Sequence, residues 1–214
     1  MSASPPPDPS LRESGGPWYL FDYGMVISAA PLPEDWDALR NATGMDLQPA
    51  SSPYWATRLE YDGGELSPAD YWASVLGRRV DENELARLEE LDARQWSRLN
   101  PRTHQVLEFL AGEGAQLALL SNMPAEMSYR YESEASWPAF FAARYFSGRL
   151  GMVKPDERIY RHVLDGLGAA PEDVVFIDDN PANIEAAEAL GMRAVLHTED
   201  TDLRQELALL ADPA

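Results

Sequence analysis

The sequence predicts an α/β fold, in which a parallel β-sheet is flanked by helices and a small all-helical segment is inserted after the first strand. Strand-like and helix-like segments alternate from about residue 100 onward. Most of the strand-like segments are continuous apolar runs, which is typical of parallel strands buried on both faces. Residues 30–99 instead carry helical patterns almost throughout. Together these observations favour one sheet-based core with a helical insertion.

The first strand and the insertion are delimited by turn and capping residues. The run "WYLFD", residues 18–22, is apolar and aromatic and predicts a short buried strand. In the segment that follows, Ser and Pro mark helix starts and Gly marks helix ends. These signals predict four helices, which run from Pro33 to Gly44, from Ser51 or Ser52 to Gly63, from Ser67 to Gly77, and across residues 81–99.

The rest of the chain supplies the other strands of the sheet. The predicted elements are a helix opening at Asn100 and Pro101, a strand over 115–121, a helix opening with Pro155, a strand over 173–178, a helix from Pro181, a strand over 192–198 and a final helix over 202–210. We therefore expect a core of residues 17–29 and 100–214 and an insertion of residues 30–99. Residues 1–16, rich in Pro, Ser and Gly, are expected to be a disordered tail.

Composition excludes several classes of protein. The 214 residues include no cysteine, so disulfides are impossible, and the formal net charge is −19. Nucleic-acid binders usually carry a basic face, so no nucleic-acid partner is expected. No apolar run approaches the roughly 18 residues of a membrane span, so no membrane association is expected. The N-terminus lacks the basic and apolar regions of a secretory signal, and we expect a cytoplasmic protein. The oligomeric state cannot be read from the sequence.

Polar residues follow three of the predicted strands. Because ligands of open parallel sheets bind at the carboxyl ends of the strands, residues at these positions are expected to meet at one site. The first strand ends in Asp22, the next in Ser121 and Asn122, and a later one in Asp178 and Asp179, while Lys154 precedes a helix.

This set of side chains indicates phosphoryl chemistry. Clustered carboxylates repel one another and require a cation, and an oxygen donor set without His or Cys favours Mg²⁺. A single aspartate such as Asp22 can attack phosphorus and form an aspartyl-phosphate. Lys154 can neutralise charge, and the Ser121 hydroxyl can hold a phosphoryl oxygen. A small phosphate ester is therefore the expected partner.

Four stretches resemble the motifs of the haloacid dehalogenase (HAD) superfamily of hydrolases. They are "LFDYGMVIS", "ALLSN", Lys154 in "LGMVKPDERIY", and "VVFIDDNPANIEAAEALGM". Their order and spacing match the family over about residues 18–198. The resemblance implies a Rossmann-like core, and the insertion resembles the family's C1-type cap. The stretch "YDGGELSPADYWASVLG" is similar to a glucose-1-phosphate phosphatase-like subgroup, which favours a sugar phosphate.

The resemblance also implies roles for individual residues. Asp22 would be the nucleophile and a metal ligand, and Lys154 would orient it. The phosphoryl group would bind Ser121 and Asn122. The metal would be held by Asp22, the Gly24 carbonyl, Asp178 and Asp179. Asn183 stands where many relatives carry another acid, so a metal role for it is left open.

Gly24 departs from the family pattern. Most phosphatases of the superfamily carry an acid here, which protonates the leaving group, a contribution of about 10²- to 10⁴-fold. Its loss leaves three hypotheses open: a phosphatase acting on a good leaving group, a catalytically weak or inactive binding or regulatory protein, and a 2-haloacid dehalogenase. Asp178 and Asp179 disfavour the last, because dehalogenases need no metal.

The insertion offers further candidates. Trp36, Trp55, Trp72 and Trp96 are expected to pack its core, and the side chains expected to face a substrate are Tyr54, Trp55 and Arg58.

Overall fold

The computed structural model describes residues 16–211, so the predicted tail lies outside the described residues except for Gly16. Five parallel strands form one sheet in the order β3-β2-β1-β4-β5. Their bounds are β1 Trp18–Phe21, β2 Gln116–Ser121, β3 Ala143–Phe146, β4 Val174–Asp178 and β5 Arg193–Leu196. The α/β fold with a Rossmann-like parallel sheet is confirmed.

Eleven α-helices among the described residues accompany the sheet. The insertion contains α1 Pro33–Thr43, α2 Pro53–Ala56, α3 Arg58–Asp62, α4 Pro68–Leu76 and α5 Glu82–Trp96. The others are α6 Pro101–Gly112, α7 Ala125–Glu134, α8 Ser147–Leu150, α9 Glu157–Leu167, α10 Pro181–Ala189 and α11 Leu203–Ala211. No helix in the described part of the chain has both the length and the apolar character needed to span a membrane.

Strand β1 lies at the centre of the sheet and is buried along its whole length. It pairs with β2 on one side and with β4 on the other. Because side chains alternate along a strand, Tyr19 and Phe21 enter one apolar layer, and Trp18 and Leu20 enter the other. The sheet is therefore covered on both faces, as its continuous apolar strands predict.

The insertion helices share an apolar cluster of their own, which includes Trp36, Tyr54, Tyr71 and Trp72. Capping follows the sequence signals: Ser67 accepts a hydrogen bond from the Asp70 backbone N–H, and Gly44 closes α1 in the left-handed conformation. The division into a core and a helical domain at residues 30 and 99 stays a prediction.

One helix expected between Ser51 or Ser52 and Gly63 is two short helices, α2 and α3. The break falls at Thr57, whose backbone is non-helical (φ −124°, ψ 20°). Its hydroxyl lies 3.0 Å from the Ser74 hydroxyl on α4, so a tertiary contact competes with helix continuation.

Strand β3 was not predicted, because only Phe146 of its four residues is buried. As an edge strand it lacks the continuous apolar run that identified the others. A second difference concerns α9, which begins at Glu157 rather than Pro155. The Asp156 side chain caps it by accepting a hydrogen bond from the Arg158 backbone N–H.

Two adjacent linkers join the insertion to the core. The Ala29 N–H donates to the Arg98 carbonyl at 2.7 Å, and the Asn100 N–H donates to the Ile27 carbonyl at 2.8 Å. The Tyr23 hydroxyl, next to Asp22 in sequence, donates to the Trp96 carbonyl at 2.8 Å. The insertion is thus tied to the segment that follows β1.

Candidate active site

The polar residues predicted to meet do come together at the carboxyl edge of the sheet. Asp22 directly follows β1, Ser121 ends β2 and Asp178 ends β4, the two neighbours of β1. The Asp22 backbone N–H donates to the Ile177 carbonyl at 2.8 Å, which fixes the start of the loop that carries the carboxylate.

Lys154 is buried between two carboxylates. Its Nζ lies 2.7 Å from Asp22 Oδ1 and 2.6 Å from Asp178 Oδ2, and only 2% of the residue is exposed. An ammonium removed from water needs such partners, and each carboxylate needs the ammonium. The lysine therefore holds Asp22 and Asp178 in fixed positions.

Burial and charge shift the pKa values of these groups. Burial raises the pKa of Asp22 to about 7, with Lys154 opposing the shift and Asp178 adding to it. Burial also raises the pKa of the partly exposed Asp179 to about 6. For Lys154, burial alone would lower the pKa, but the carboxylates of Asp22 and Asp178 outweigh it and raise that pKa. One lysine thus leaves this acidic cluster short of positive charge.

The donor set fits a divalent cation. Asp22, Asp178 and Asp179 each offer a carboxylate oxygen, and these atoms lie within 4.8 Å of one another. Three carboxylates and one ammonium leave two negative charges, which one divalent ion balances. The candidate ligands are hard oxygen atoms, which Mg²⁺ and Ca²⁺ both prefer. Of these two ions, Mg²⁺ is the one that commonly shares its site with phosphate.

Asp178 is further oriented by α10. The Asn183 side-chain amide donates to both of its carboxylate oxygens at 3.0 Å, and the Asn180 N–H donates to Oδ1 at 2.8 Å. Asn183 therefore orients a candidate metal ligand through its amide N–H groups. Asn180 caps α10 by accepting from the Ala182 N–H, so the acidic pair is not the helix cap.

Asn122 locks the loop that carries the lysine. Its side-chain amide donates to the Lys154 carbonyl at 2.9 Å and accepts from the Lys154 N–H at 2.9 Å. Ser121 lies beside it and is buried. Within residues 16–211 no side-chain hydrogen bond engages the Ser121 hydroxyl, which leaves it available to a ligand.

The turn after Asp22 carries two unusual features. A Cβ added at Gly24 would meet no atom within 4 Å, so open space lies where the family's usual acid would project. The next residue, Met25, has φ 58°, a left-handed conformation that costs a non-glycine residue about 1–3 kcal/mol. Strained backbone of this kind is concentrated at functional sites.

Tyr54 and Arg58 lie in the interior of the insertion. Arg58 pairs with Asp62 at 2.8 Å and with Asp92 at 2.9 Å, and the Tyr54 hydroxyl donates to Asp92 at 2.6 Å. Trp55 is half-buried at the edge of the same aromatic cluster. Contact of Tyr54 or Arg58 with a substrate would require these buried contacts to rearrange, and the substrate role of all three residues stays a prediction.

A cavity of about 1060 Å³ borders the acidic cluster at Asp179. Its lining includes Asp179, Met25, His197 and the first residues of α6, but neither Asp22 nor Lys154. Burial lowers the pKa of His197, which favours the neutral form of the ring. The cavity gives solutes a route to Asp179.

Sequence reasoning missed one residue that shapes the site, Ser147, and the contact that a second residue, Asn183, makes with Asp178. Ser147 contacts the loop after Ser121, yet it follows the unpredicted strand β3, so no motif marked it. The support that Asn183 gives to Asp178 could have been found from its spacing on a helix that begins just after the acid.

Comparison with known proteins shows the same family that the sequence motifs resemble. The sequence profile of the haloacid dehalogenase-like hydrolase family matches residues 25–191, beginning just after Asp22. The chain is 29% identical over 199 residues to the drimenol cyclase of Aspergillus calidoustus, covering 91% of this chain and 37% of that protein. It is 30% identical over 117 residues to the phosphorylated carbohydrates phosphatase of Thermotoga maritima, covering 53% of this chain and 54% of the relative.

The chain spans roughly a third to a half of the length of these two relatives. Among solved structures, it is similar to a HAD-family enzyme of Bacteroides thetaiotaomicron in complex with magnesium and inorganic phosphate. That likeness has a TM-score of 0.69 and 19% identity, and covers 90% of this chain and 99% of the other. At this identity the comparison concerns the fold alone.

Proposed function

Since the chain belongs to the haloacid dehalogenase-like hydrolase family, we propose that it is a Mg²⁺-dependent phosphatase that hydrolyses a small phosphate ester through an aspartyl-phosphate on Asp22. The observation that carries this proposal is the cluster in which Lys154 joins Asp22 to Asp178, with Asp179 close by. A dedicated lysine and surplus acids beside a strand-end aspartate suit phosphoryl transfer.

In the first step, an Asp22 carboxylate oxygen attacks phosphorus. The bond from phosphorus to the ester oxygen breaks, and the leaving alkoxide takes a proton from water. In the second step, water attacks the phosphorus of the aspartyl-phosphate, the bond to Asp22 breaks, and inorganic phosphate leaves. Lys154 neutralises charge at Asp22, and the Ser121 hydroxyl, with Asn122 beside it, donates to the phosphoryl oxygens.

The residues that would hold Mg²⁺ are Asp22, Asp178 and Asp179, together with the Gly24 carbonyl. The bound ion would supply positive charge to offset the charge of the phosphoryl group. Asn183 serves this site by orienting Asp178.

Gly24 narrows the substrate class. With no acid at this position, esters whose leaving group departs without protonation are favoured, such as the anomeric phosphate of a sugar, an acyl phosphate or an aryl phosphate. The relative named as a phosphorylated carbohydrates phosphatase supports the sugar phosphate. We take the insertion as a C1-type cap that closes over the substrate and excludes water. A cytoplasmic setting would suit such a substrate.

The 2-haloacid dehalogenase hypothesis has one observation in its favour, which is the missing acid at Gly24. It leaves Asp178 and Asp179 unexplained, because a metal-free reaction gains nothing from two further carboxylates near the nucleophile. The inactive binding protein leaves the Lys154 bridge unexplained. The phosphatase accounts for all of these residues.

The test is phosphate release from glucose 1-phosphate, acetyl phosphate, p-nitrophenyl phosphate and glycerol 3-phosphate, with Mg²⁺ and with EDTA. We expect Mg²⁺-dependent turnover of the first three esters and little of the fourth. Asp22→Asn is expected to be inactive while remaining folded. If no ester is turned over with or without metal, the binding protein gains support, and chloride release from 2-haloacids then tests the dehalogenase.

A further inference from the structure

One buried hydroxyl joins the insertion to the loop that follows Ser121. Ser147, the first residue of α8, is 0% exposed. Its Oγ accepts a hydrogen bond from the Met123 backbone N–H at 2.8 Å and donates to the Asp62 carbonyl at 2.5 Å. Met123 belongs to the loop at residues 121–123, which we call the phosphoryl loop, and Asp62 is the last residue of α3 in the cap.

Glycines allow this close approach. A Cβ at Gly64, two residues after Asp62, would lie 2.8 Å from the Gly148 carbonyl oxygen. A Cβ at Gly148 would lie 2.5 Å from the Ala125 backbone nitrogen and 2.8 Å from the Met123 carbonyl oxygen. The cap, α8 and the phosphoryl loop are therefore in contact through backbone atoms. A displacement of one segment is passed directly to the next, because no side chain lies between them.

The Ser147 hydroxyl has one proton to donate, and the position of the cap determines which carbonyl oxygen accepts it. With α3 in place, the proton is directed to the Asp62 carbonyl, and the oxygen lone pairs face the Met123 N–H. With α3 withdrawn, the remaining backbone acceptor is the Met123 carbonyl at 3.4 Å. The hydrogen bond that holds Met123 is thus strongest when the cap is seated, because linked hydrogen bonds polarise each other.

We propose that Ser147 is a positioning residue that couples seating of the cap to the geometry of the phosphoryl loop. The inference rests on the proposed function, since it assigns the loop to phosphoryl binding. A seated cap holds the loop in the geometry that binds the phosphoryl group, and a lifted cap releases the loop and the product. Substrate binding and cap closure then favour each other.

Ser147→Ala tests the coupling. In the seated state it leaves the Met123 N–H and the Asp62 carbonyl buried without a partner, which lowers the population of that state about tenfold or more. We expect kcat/KM for glucose 1-phosphate to fall about tenfold, with the larger part in KM. Hydrogen exchange of the amides at residues 58–64, measured with Mg²⁺ and inorganic phosphate, is expected to quicken by a similar factor.

Ser128→Ala is the matched control. Ser128 is equally buried, donates to the Ala125 carbonyl at 2.6 Å and accepts from Arg149 Nε at 2.7 Å, so both hydrogen bonds of its hydroxyl stay within the core. Its removal is expected to lower stability while leaving both readouts within about twofold of the wild type. Ser147→Cys keeps a weak donor of similar size, so it is expected to give intermediate values and to stay measurable if the alanine variant unfolds.

The inference is overturned if Ser147→Ala leaves both readouts unchanged in an enzyme that is otherwise active, or if Ser128→Ala changes them equally. The proposed function fails separately, if the wild type turns over no ester. The exchange of residues 58–64 then still decides whether Ser147 holds the cap.

Discussion

Gly24 is the residue at which the site departs most from a conventional phosphatase. Its φ is not in the left-handed region, and a Cβ there would meet nothing within 4 Å. Steric demand therefore does not explain the glycine. For the proposed phosphatase its consequence is chemical, because a leaving group would have to depart without a side-chain acid at this position.

Restoring an acid should widen the range of substrates. Gly24→Asp is expected to raise kcat/KM for glycerol 3-phosphate by about tenfold or more, because the leaving alkoxide needs a proton. A well-placed general acid typically contributes about 10²- to 10⁴-fold. For acetyl phosphate, whose leaving group is a weak base, we expect little change. Gly24→Asn provides the same size without the acid. Equal gains for Asp and Asn, or equal gains on both substrates, would show that protonation is not what the site lacks.

At the residue scale, the sequence predicted the site through strand ends. Asp22, Ser121 and Asp178 all end apolar runs, so pattern alone places them at one edge. The motif that contains Lys154 predicts that the lysine contacts Asp22. It does not predict that the lysine is buried between Asp22 and Asp178, because that depends on the pairing of β1 with β4 in the fold. The role of Ser147 could not be predicted from the sequence, since its hydrogen-bond partners are backbone atoms of distant segments.

At the scale of single elements, the helical insertion is organised around a buried ion pair. Arg58 on α3 pairs with Asp92 on α5, whose side chain is 1% exposed, and the Tyr54 hydroxyl donates to the same carboxylate. These contacts tie α2, α3 and α5 together. Since α2 and α3 are too short to be stable alone, their conformation depends on this cluster.

Asp92→Asn is expected to lower the free energy of unfolding by about 3 kcal/mol, because it leaves part of a buried charge uncompensated. Asp37→Asn, which disrupts the exposed Arg40–Asp37 pair, is the control and is expected to cost less than about 1 kcal/mol. Urea denaturation of both variants measures the difference. Similar losses in the two would mean that burial of the Arg58 cluster contributes little.

The boundaries of helices were predicted correctly where the sequence carries clear capping residues. They were not predicted where tertiary contacts set the boundary. Gly44, Ser67 and Asn100 all mark helix ends as expected. The break at Thr57 and the edge strand β3 depend on neighbours that a local pattern does not contain. The parallel sheet itself was predictable because its inner strands are apolar throughout.

For the molecule as a whole, charge links stability to pH and to metal. The net charge is −19, and burial raises the pKa values of Asp22 and Asp62 to about 7 and that of Asp179 to about 6. Between their ordinary values near 4 and these raised values, the folded state binds more protons than the unfolded state. Stability from these groups is therefore present at low pH and lost as pH rises through about 7.

We expect the Tm of the protein in EDTA to be higher at about pH 5.5 than at about pH 8, because the raised carboxyl groups then keep their protons. Adding Mg²⁺ at the higher pH should recover part of the loss by balancing the charge of the site. In Asp179→Asn both the pH effect and the Mg²⁺ effect should shrink. A Tm that rises with pH in EDTA, or a Mg²⁺ effect unchanged in Asp179→Asn, would contradict this electrostatic account.

The central claim is that Asp22 carries the phosphoryl group during turnover. The most direct measurement is to quench the enzyme during turnover of acetyl phosphate with Mg²⁺, reduce it with borohydride, and locate the modified residue by peptide mass spectrometry. We predict conversion of Asp22 to homoserine, which reports an aspartyl-phosphate, and none when Mg²⁺ is replaced by EDTA. Phosphate release without any modification of Asp22, or modification of another residue, would contradict the account.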